Sequence, residues 1–194
     1  MKEKILSEFR ESMAVKENFI NGHLDTVLDA ARTIAGAFND GCKLILFGNG
    51  GSATDASHIA GEFVNRFKRE RPGLPAIALN TDIAVITSIA NDYDYSEIFA
   101  RQLKSLALDG DVVVAITTSG NSANVVKALD AARKKKLKTI LFTGVKGEKL
   151  AAKSTYAFVV PSDNTPRIQE THITLGHVLC LMVEEILFEA PRKK

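Results

Sequence analysis

Residues 44–62 read LILFGNGGSATDASHIAGE, and the order of textures within them decides the fold. The run LILF is short, apolar and bounded by glycine, the pattern of a strand covered on both faces. The glycines at 48, 50 and 51 break it, and the residues after Ser52 read as a helix that carries His58 and Glu62 four apart. A strand that passes through a glycine turn into a helix is the opening move of an α/β domain.

The same texture recurs downstream. KLILF (43–47) precedes a helical stretch at 52–66, PAIAL (75–79) precedes 82–90 and 94–107, and DVVVAI (111–116) precedes 122–135. KTILF (138–142) precedes 147–153, and YAFVV (156–160) precedes 166–189. Alternation of this kind predicts parallel pairing with right-handed crossovers. Upstream, apolar positions at helical spacing (Ile5, Phe9, Met13, then Leu24, Val27, Leu28, Ala31, Ile34, Ala35, Phe38) with a break near Asn21-Gly22 predict two helices. The expected architecture is α/β, a doubly wound parallel sheet of about five strands flanked by helices, preceded by an N-terminal helical pair. It forms a single domain over 1–194, with helices over 1–40 that pack in an oligomer and an α/β core over 41–190.

Composition narrows the function classes. The chain has 194 residues, 45% hydrophobic and 25% charged, with a formal net charge of +2, so no bulk charge points to nucleic acid or a membrane surface. The basic run RKKK at 133–136 is read as a solvated helix end complementing the dipole. Cys42 and Cys180 stand among apolar neighbours and are expected as buried reduced thiols, which fits a cytoplasmic protein. The first residues, MKEKILSEFRESMAV, mix acids and bases without an apolar block, so neither a signal peptide nor a spanning helix is expected there.

In a doubly wound sheet, ligands bind beyond the carboxyl ends of the strands, where strand order reverses. Two turns qualify. Gly48-Asn49-Gly50-Gly51-Ser52 follows the first core strand and Thr117-Thr118-Ser119-Gly120-Asn121-Ser122 follows the third, each opening onto a helix. Helix N-termini offer unpaired N–H groups and a partial positive charge, and hydroxyls add neutral donors, so the second turn suits a phosphate monoester. It could equally be a hydroxyl-rich helix cap. Gly48, Gly50 and Ala53 loosely match G-x-G-x-x-G/A, but Lys68 and Arg69 stand where an acid should meet a ribose, which argues against a dinucleotide site. No G-x-x-x-x-G-K-[ST] is present.

His58 and Glu62 could share one metal ion or one substrate, or form a surface pair. The final helical stretch, RIQETHITLGHVLCLMVEEILF, is apolar almost all round yet carries Gln169, His172 and His177. Gln169 and His177 are separated by about 80° of helical rotation and can address one side. His172 projects further round and is expected to be solvated or at an interface, while Cys180 is read as core filling. Two imidazoles, a carboxylate and an amide oxygen could hold zinc, or act as a carboxylate base with an imidazole acid.

The blocks FGNGGSATDASHIAGEFVNRF, RPGLPAIAL, SIANDYDYSEIFARQL, GDVVVAITTSGNSANVVKAL and PRIQETHITLGH, in this order and spacing, resemble the sedoheptulose 7-phosphate isomerase (phosphoheptose isomerase) family of sugar isomerase domains. The resemblance runs from about residue 5 to 189. It implies a cytoplasmic homotetramer with sites at subunit interfaces and Zn2+, one per subunit. The implied reaction converts sedoheptulose 7-phosphate to D-glycero-D-manno-heptose 7-phosphate for lipopolysaccharide heptose, with neither membrane nor direct nucleic-acid binding. On this resemblance His58, Glu62, Gln169 and His177 are metal positions, and Glu62 and His177 are also base and acid. Asn49, Gly50, Gly51, Ser52, Arg66, Asn91, Asp92, Thr117, Thr118, Ser119, Ser122 and Gln169 make up the substrate-binding set. Some members carry an Asp just before RIQ where this chain has Pro166. The chain is also similar to a sister family, the DnaA initiator-associating proteins, which implies a tetrameric binding scaffold without turnover as the alternative.

Overall fold

The computed structural model describes residues 1–188. Two N-terminal helices, α1 (Lys2–Asn21) and α2 (Leu24–Asn39), meet at Gly22, where the expected break lies. On α2 the buried residues Val27, Ala30, Ala31, Ile34, Ala35 and Phe38 recur every three or four positions, so one stripe faces the core. The α/β part follows as β1 (Leu44–Gly48), α3 (Gly51–Val64), β2 (Ala76–Ala78), α4 (Ile83–Asp92), α5 (Ile98–Leu106) and β3 (Val112–Thr117). It closes with α6 (Ala123–Lys134), β4 (Lys138–Gly144), α7 (Glu148–Ala151), β5 (Tyr156–Val160) and α8 (Thr165–Phe188).

The strands form one five-stranded sheet in the order β2-β1-β3-β4-β5, with every neighbouring pair parallel. Burial on β1 shows why its sequence is unbroken in apolar character. Leu44 and Leu46 join α2, α3 and α8 in one core, while Ile45 and Phe47 join α5 and α6 in another. Successive side chains of a strand point to opposite faces, so a strand sandwiched between helices has no solvent-facing position to make polar.

The chain steps from β1 outward to β2, then crosses back over β1 to β3. The order therefore reverses between β1 and β3, and the two glycine- and hydroxyl-bearing turns stand side by side at that reversal. Because α3 lies on one face of the sheet and α6 on the other, the turns diverge and leave a crevice between them.

By length and mean hydropathy, 1.4 in its most apolar window, α8 could cross a membrane. It packs instead on α2, α3 and α1, with Arg167 and Glu184 buried in ion pairs. Its place as the central helix of one layer accounts for an apolar surface that continues almost all round.

Two sequence expectations need correction. His172 is fully buried rather than solvated or at an interface; it lies beside Phe142, its ring centroid 5.6 Å away. Neither of its ring nitrogens makes a hydrogen bond of ordinary geometry, and burial pushes its pKa down to about 4, opposed by the nearby backbone of Thr143. Cys42 lies in the connection before β1 and is partly exposed, with its thiol near the Asp109 carbonyl, whereas Cys180 is fully buried as expected. Arg133 and Lys134 occupy the last turn of α6, which places the basic run at a helix end.

Candidate active site

The first turn is shaped by Gly50, whose φ of 56° is readily adopted only without a side chain. It lets the chain leave β1 and enter α3 within two residues. Neither α3 nor α6 has a side-chain cap at its N-terminus, although Ser122 holds the capping position of α6. By contrast α4 is capped by Asp82, which accepts from the Val85 N–H at 3.0 Å. The hydroxyls of that turn therefore do not cap α6, whose Val125 N–H is taken instead by Asn124 Oδ1 at 2.9 Å. The Ser52 and Ala53 N–H groups at the start of α3 bond back to the Asn49 and Gly50 carbonyls, which leaves the first N–H groups, Gly51 of α3 and Ala123 and Asn124 of α6, as donors for an anion.

Those hydroxyls form a compact rim. Thr117 Oγ1 lies 3.4 Å from Ser122 Oγ, and Ser119 Oγ accepts from the Asn121 N–H at 3.3 Å. Ser52 and Thr117 are buried, while Thr118, Ser119 and Ser122 are half-buried. Asn49 and Asn124 lace the two turns together by a reciprocal amide pair, each Nδ2 donating to the other's Oδ1 at 2.9 Å. Tyr95 adds a donor to Asn49 Oδ1 at 3.3 Å. Asn49, Tyr95, Ser122 and Asn124 help line a cavity of about 370 Å³, within the range of small-molecule sites.

The second half of the site is set by how α3 meets α8. Gln169 sits over Gly51, Gly176 over Ile59, and His177 beside His58, so the two helices run side by side in the same direction. Gly176 is what allows the approach, since a Cβ there would stand 2.5 Å from Ile59 Cδ1. His58, Glu62 and His177 then converge, their ligand atoms all within 4.8 Å of one another. His58 Nε2 lies 3.0 Å from Glu62 Oε1 and 3.4 Å from His177 Nε2. The ring of Phe67 stacks on His177 at 5.6 Å and 22°.

Two imidazole nitrogens bound tetrahedrally to zinc at about 2.0–2.1 Å would stand roughly 3.4 Å apart. The His58–His177 spacing matches that edge, and the partly exposed carboxylate beside them completes a donor set suited to a divalent ion.

The remaining sequence candidates fall in different places. Gln169 lies eight residues before His177, about 12 Å along the helix axis, at the glycine-turn end of the site. Arg66 is exposed just beyond α3 and reaches Glu70 at 3.5 Å. Asn91 and Asp92 are exposed at the end of α4, where Asn91 Nδ2 donates to Asp92 Oδ1 at 2.9 Å.

Three neighbours of the site were not foreseen. Asn124 is buried and pairs with a residue 75 positions away, a relation no local pattern encodes. Phe67 reads as an ordinary apolar residue until its ring is seen on His177. Asp55 had a signal, one helical turn before His58 on the same helix. Burial raises its carboxyl pKa, partly countered by His58, and its buried Oδ2 has no hydrogen-bond partner among the described residues.

Comparison with known proteins bears on what this arrangement serves. The SIS domain family matches residues 9–144. A phosphoheptose isomerase of Thermodesulfovibrio yellowstonii is 62% identical over 194 residues, covering 100% of this chain and 96% of that protein. One from Aquifex aeolicus is 53% identical over 189 residues, covering 97% and 99%. The structure of a phosphoheptose isomerase from Francisella tularensis superposes with a TM-score of 0.90 at 36% identity, covering 94% of this chain and 97% of that one. These similarities span both turns and both helices that build the site, and the chain belongs to the phosphoheptose isomerase family of SIS-domain proteins.

Proposed function

We infer that this chain interconverts sedoheptulose 7-phosphate and D-glycero-D-manno-heptose 7-phosphate, an aldose–ketose isomerisation that supplies heptose. One observation carries the reading: Glu62 and His177, 115 positions apart, converge at one end of paired helices whose other end opens at the hydroxyl-rich turns. Full-length identity to phosphoheptose isomerases supports it.

The reaction moves a proton between C1 and C2 of the sugar through an enediol. Ser52, Thr117, Thr118, Ser119 and Ser122, with the first N–H groups of α3 and α6, hold the phosphate and spend none of their interaction on the reacting carbons. Anchoring the far end restricts where C1 and C2 can lie, and such orientation can lower the barrier by several kcal/mol. Glu62 takes the proton as base, and His177 gives or relays one to the neighbouring oxygen. Asn49, held by Asn124 and Tyr95, steers the hydroxyls between the two ends. Zn2+ at His58, Glu62 and His177 would supply Lewis-acid stabilisation of the oxygen charge.

The wider reading is a cytoplasmic homotetramer with one zinc per subunit, serving lipopolysaccharide synthesis. Ile5, Leu6, Phe9 and Met13 of α1 are large exposed apolar side chains, a face suited to packing against other copies. Gln169, Arg66 and Asp92 would then complete sites across subunit boundaries. Turnover of sedoheptulose 7-phosphate by the purified protein tests the activity directly. Tight binding of the sugar phosphate without turnover would refute it and favour a binding role.

A further inference from the structure

The segment between α3 and β2 is held by charges that the chemistry above does not use. Glu184 of α8 and the side chain of Arg71 are essentially inaccessible, with Arg71 Nε 2.9 Å from Glu184 Oε1. The same carboxylate accepts three successive backbone N–H groups, from Phe67 and Lys68 at 3.0 Å and from Arg69 at 3.2 Å. Burial alone would raise its pKa, but these donors and Arg71 hold it below the ordinary glutamate range.

Arg71 faces the other way as well. Its Nη2 donates to the Glu62 carbonyl at 2.8 Å, and its Nη1 to the carbonyls of Phe63 at 2.8 Å and Pro72 at 3.0 Å. The last carbonyls of a helix have no partner within it, and final turns fray unless something satisfies them. Here the last turn of α3, which carries Glu62, is closed by a guanidinium. The segment gripped by Glu184 carries Phe67, whose ring lies on His177. One buried ion pair thus touches the backbone of one acid–base residue and, through one ring, the side chain of the other.

A buried ion pair is poor evidence of net stability, since desolvation offsets most of its attraction. Its directed donors and acceptors argue for geometry instead. We propose that Arg71 and Glu184 are positioning residues for the isomerase, fixing Glu62 through its carbonyl and His177 through Phe67. The proposal rests on the isomerase reading of the site.

The test uses the full chain and two variants, Arg71→Lys and Phe67→Leu. Lysine keeps a cation for Glu184 but cannot fork to the helix carbonyls. The expected result for Arg71→Lys is a tenfold to hundredfold fall in kcat with KM for sedoheptulose 7-phosphate within about twofold, because the phosphate turns are remote, as misplacement by about 1 Å can cost this much. Amide hydrogen exchange should rise in residues 60–70 and stay unchanged at the two turns. A kcat within twofold of the wild type despite faster local exchange would overturn the proposal, as would a parallel change in KM. Should Arg71→Lys not fold, Phe67→Leu decides: it leaves the ion pair intact, and an unaltered kcat would refute the link to His177. If the wild type itself does not turn over the sugar phosphate, the isomerase reading fails. In that case the exchange measurement still judges the clamp: no local rise in Arg71→Lys would refute it.

Discussion

The two ends of the α3–α8 pair are built on opposite principles. At the turn end the groups are neutral: hydroxyls, amides and helix N–H groups, interlocked by the Asn49–Asn124 pair. At the other end they are ionisable and only partly enclosed, with His58, Glu62 and His177 converging and Phe67 on one side. Neutral donors can bind a dianion without changing protonation, so the grip stays constant while protons move elsewhere. Under the proposed function the contrast separates binding from chemistry, and each end can be perturbed with a distinct expected signature.

The largest effect should come from Glu62→Gln. Loss of the base is expected to lower kcat by about a thousandfold or more, with KM nearly unchanged, in a steady-state assay with sedoheptulose 7-phosphate. A KM shift of similar size would mean that the two ends are not separate. Removal of the ion comes next. Protein prepared without chelator should carry about one zinc per chain by elemental analysis, and chelation should cut turnover by roughly a hundredfold or more, restored by added zinc. His58→Ala should lose the metal while still binding a non-reacting sugar phosphate.

At the other end, Ser119→Ala should raise KM by roughly tenfold through loss of a donor to a charged group, with kcat changed far less. Equal affinity in a titration would remove Ser119 from the cradle. The smallest effect sharpens the comparison between two histidines of one helix. His177 stands partly exposed beside His58 and Glu62, whereas His172 is sealed in the core, where burial depresses its pKa from 6.5 to about 4. The unfolded chain takes up a proton near pH 6.5 and the folded one does not until about pH 4, so folding stability should fall across that window as pH drops. The contribution lost is about 3 kcal/mol at most. In His172→Leu, denaturant unfolding at pH 7 and pH 5 should show a smaller difference than in the wild type, without a change in KM.

The sequence carried much of this because most of the elements announce themselves locally. The strand runs LILF, VVVAI and ILF have no polar position, as a sheet covered on both faces requires, and the glycine and hydroxyl ends of the first two locate the turns. The His58–Glu62 spacing could be read from helical period, and His177 from the oddity of an imidazole among leucines. Angular position misled at His172, because period tells which side of a helix a residue occupies but not how many layers surround that helix. Contacts such as Asn49 with Asn124, or Glu184 with Phe67, Lys68 and Arg69, join positions that are 75 to 117 residues apart, and nothing in either local stretch implies the other. Gln169 shows what angular reasoning leaves out: period places it on the side of α8 that His177 shares, and its position over Gly51 comes from how α8 lies along α3.

The contact of Gly176 with Ile59 has a consequence for how such a protein can diversify. The spacing of His58, Glu62 and His177 is dictated by two helices that touch where one of them has no side chain, while on the proposed reading recognition of the ligand belongs to loops mounted at the strand tips. Under the proposed function, variation at the loops can change which phosphorylated sugar is admitted and leave the His58–Glu62–His177 cluster in register. A single methyl group added at position 176 would have to displace the Ile59 side chain, one residue from His58, at a point remote from the loops.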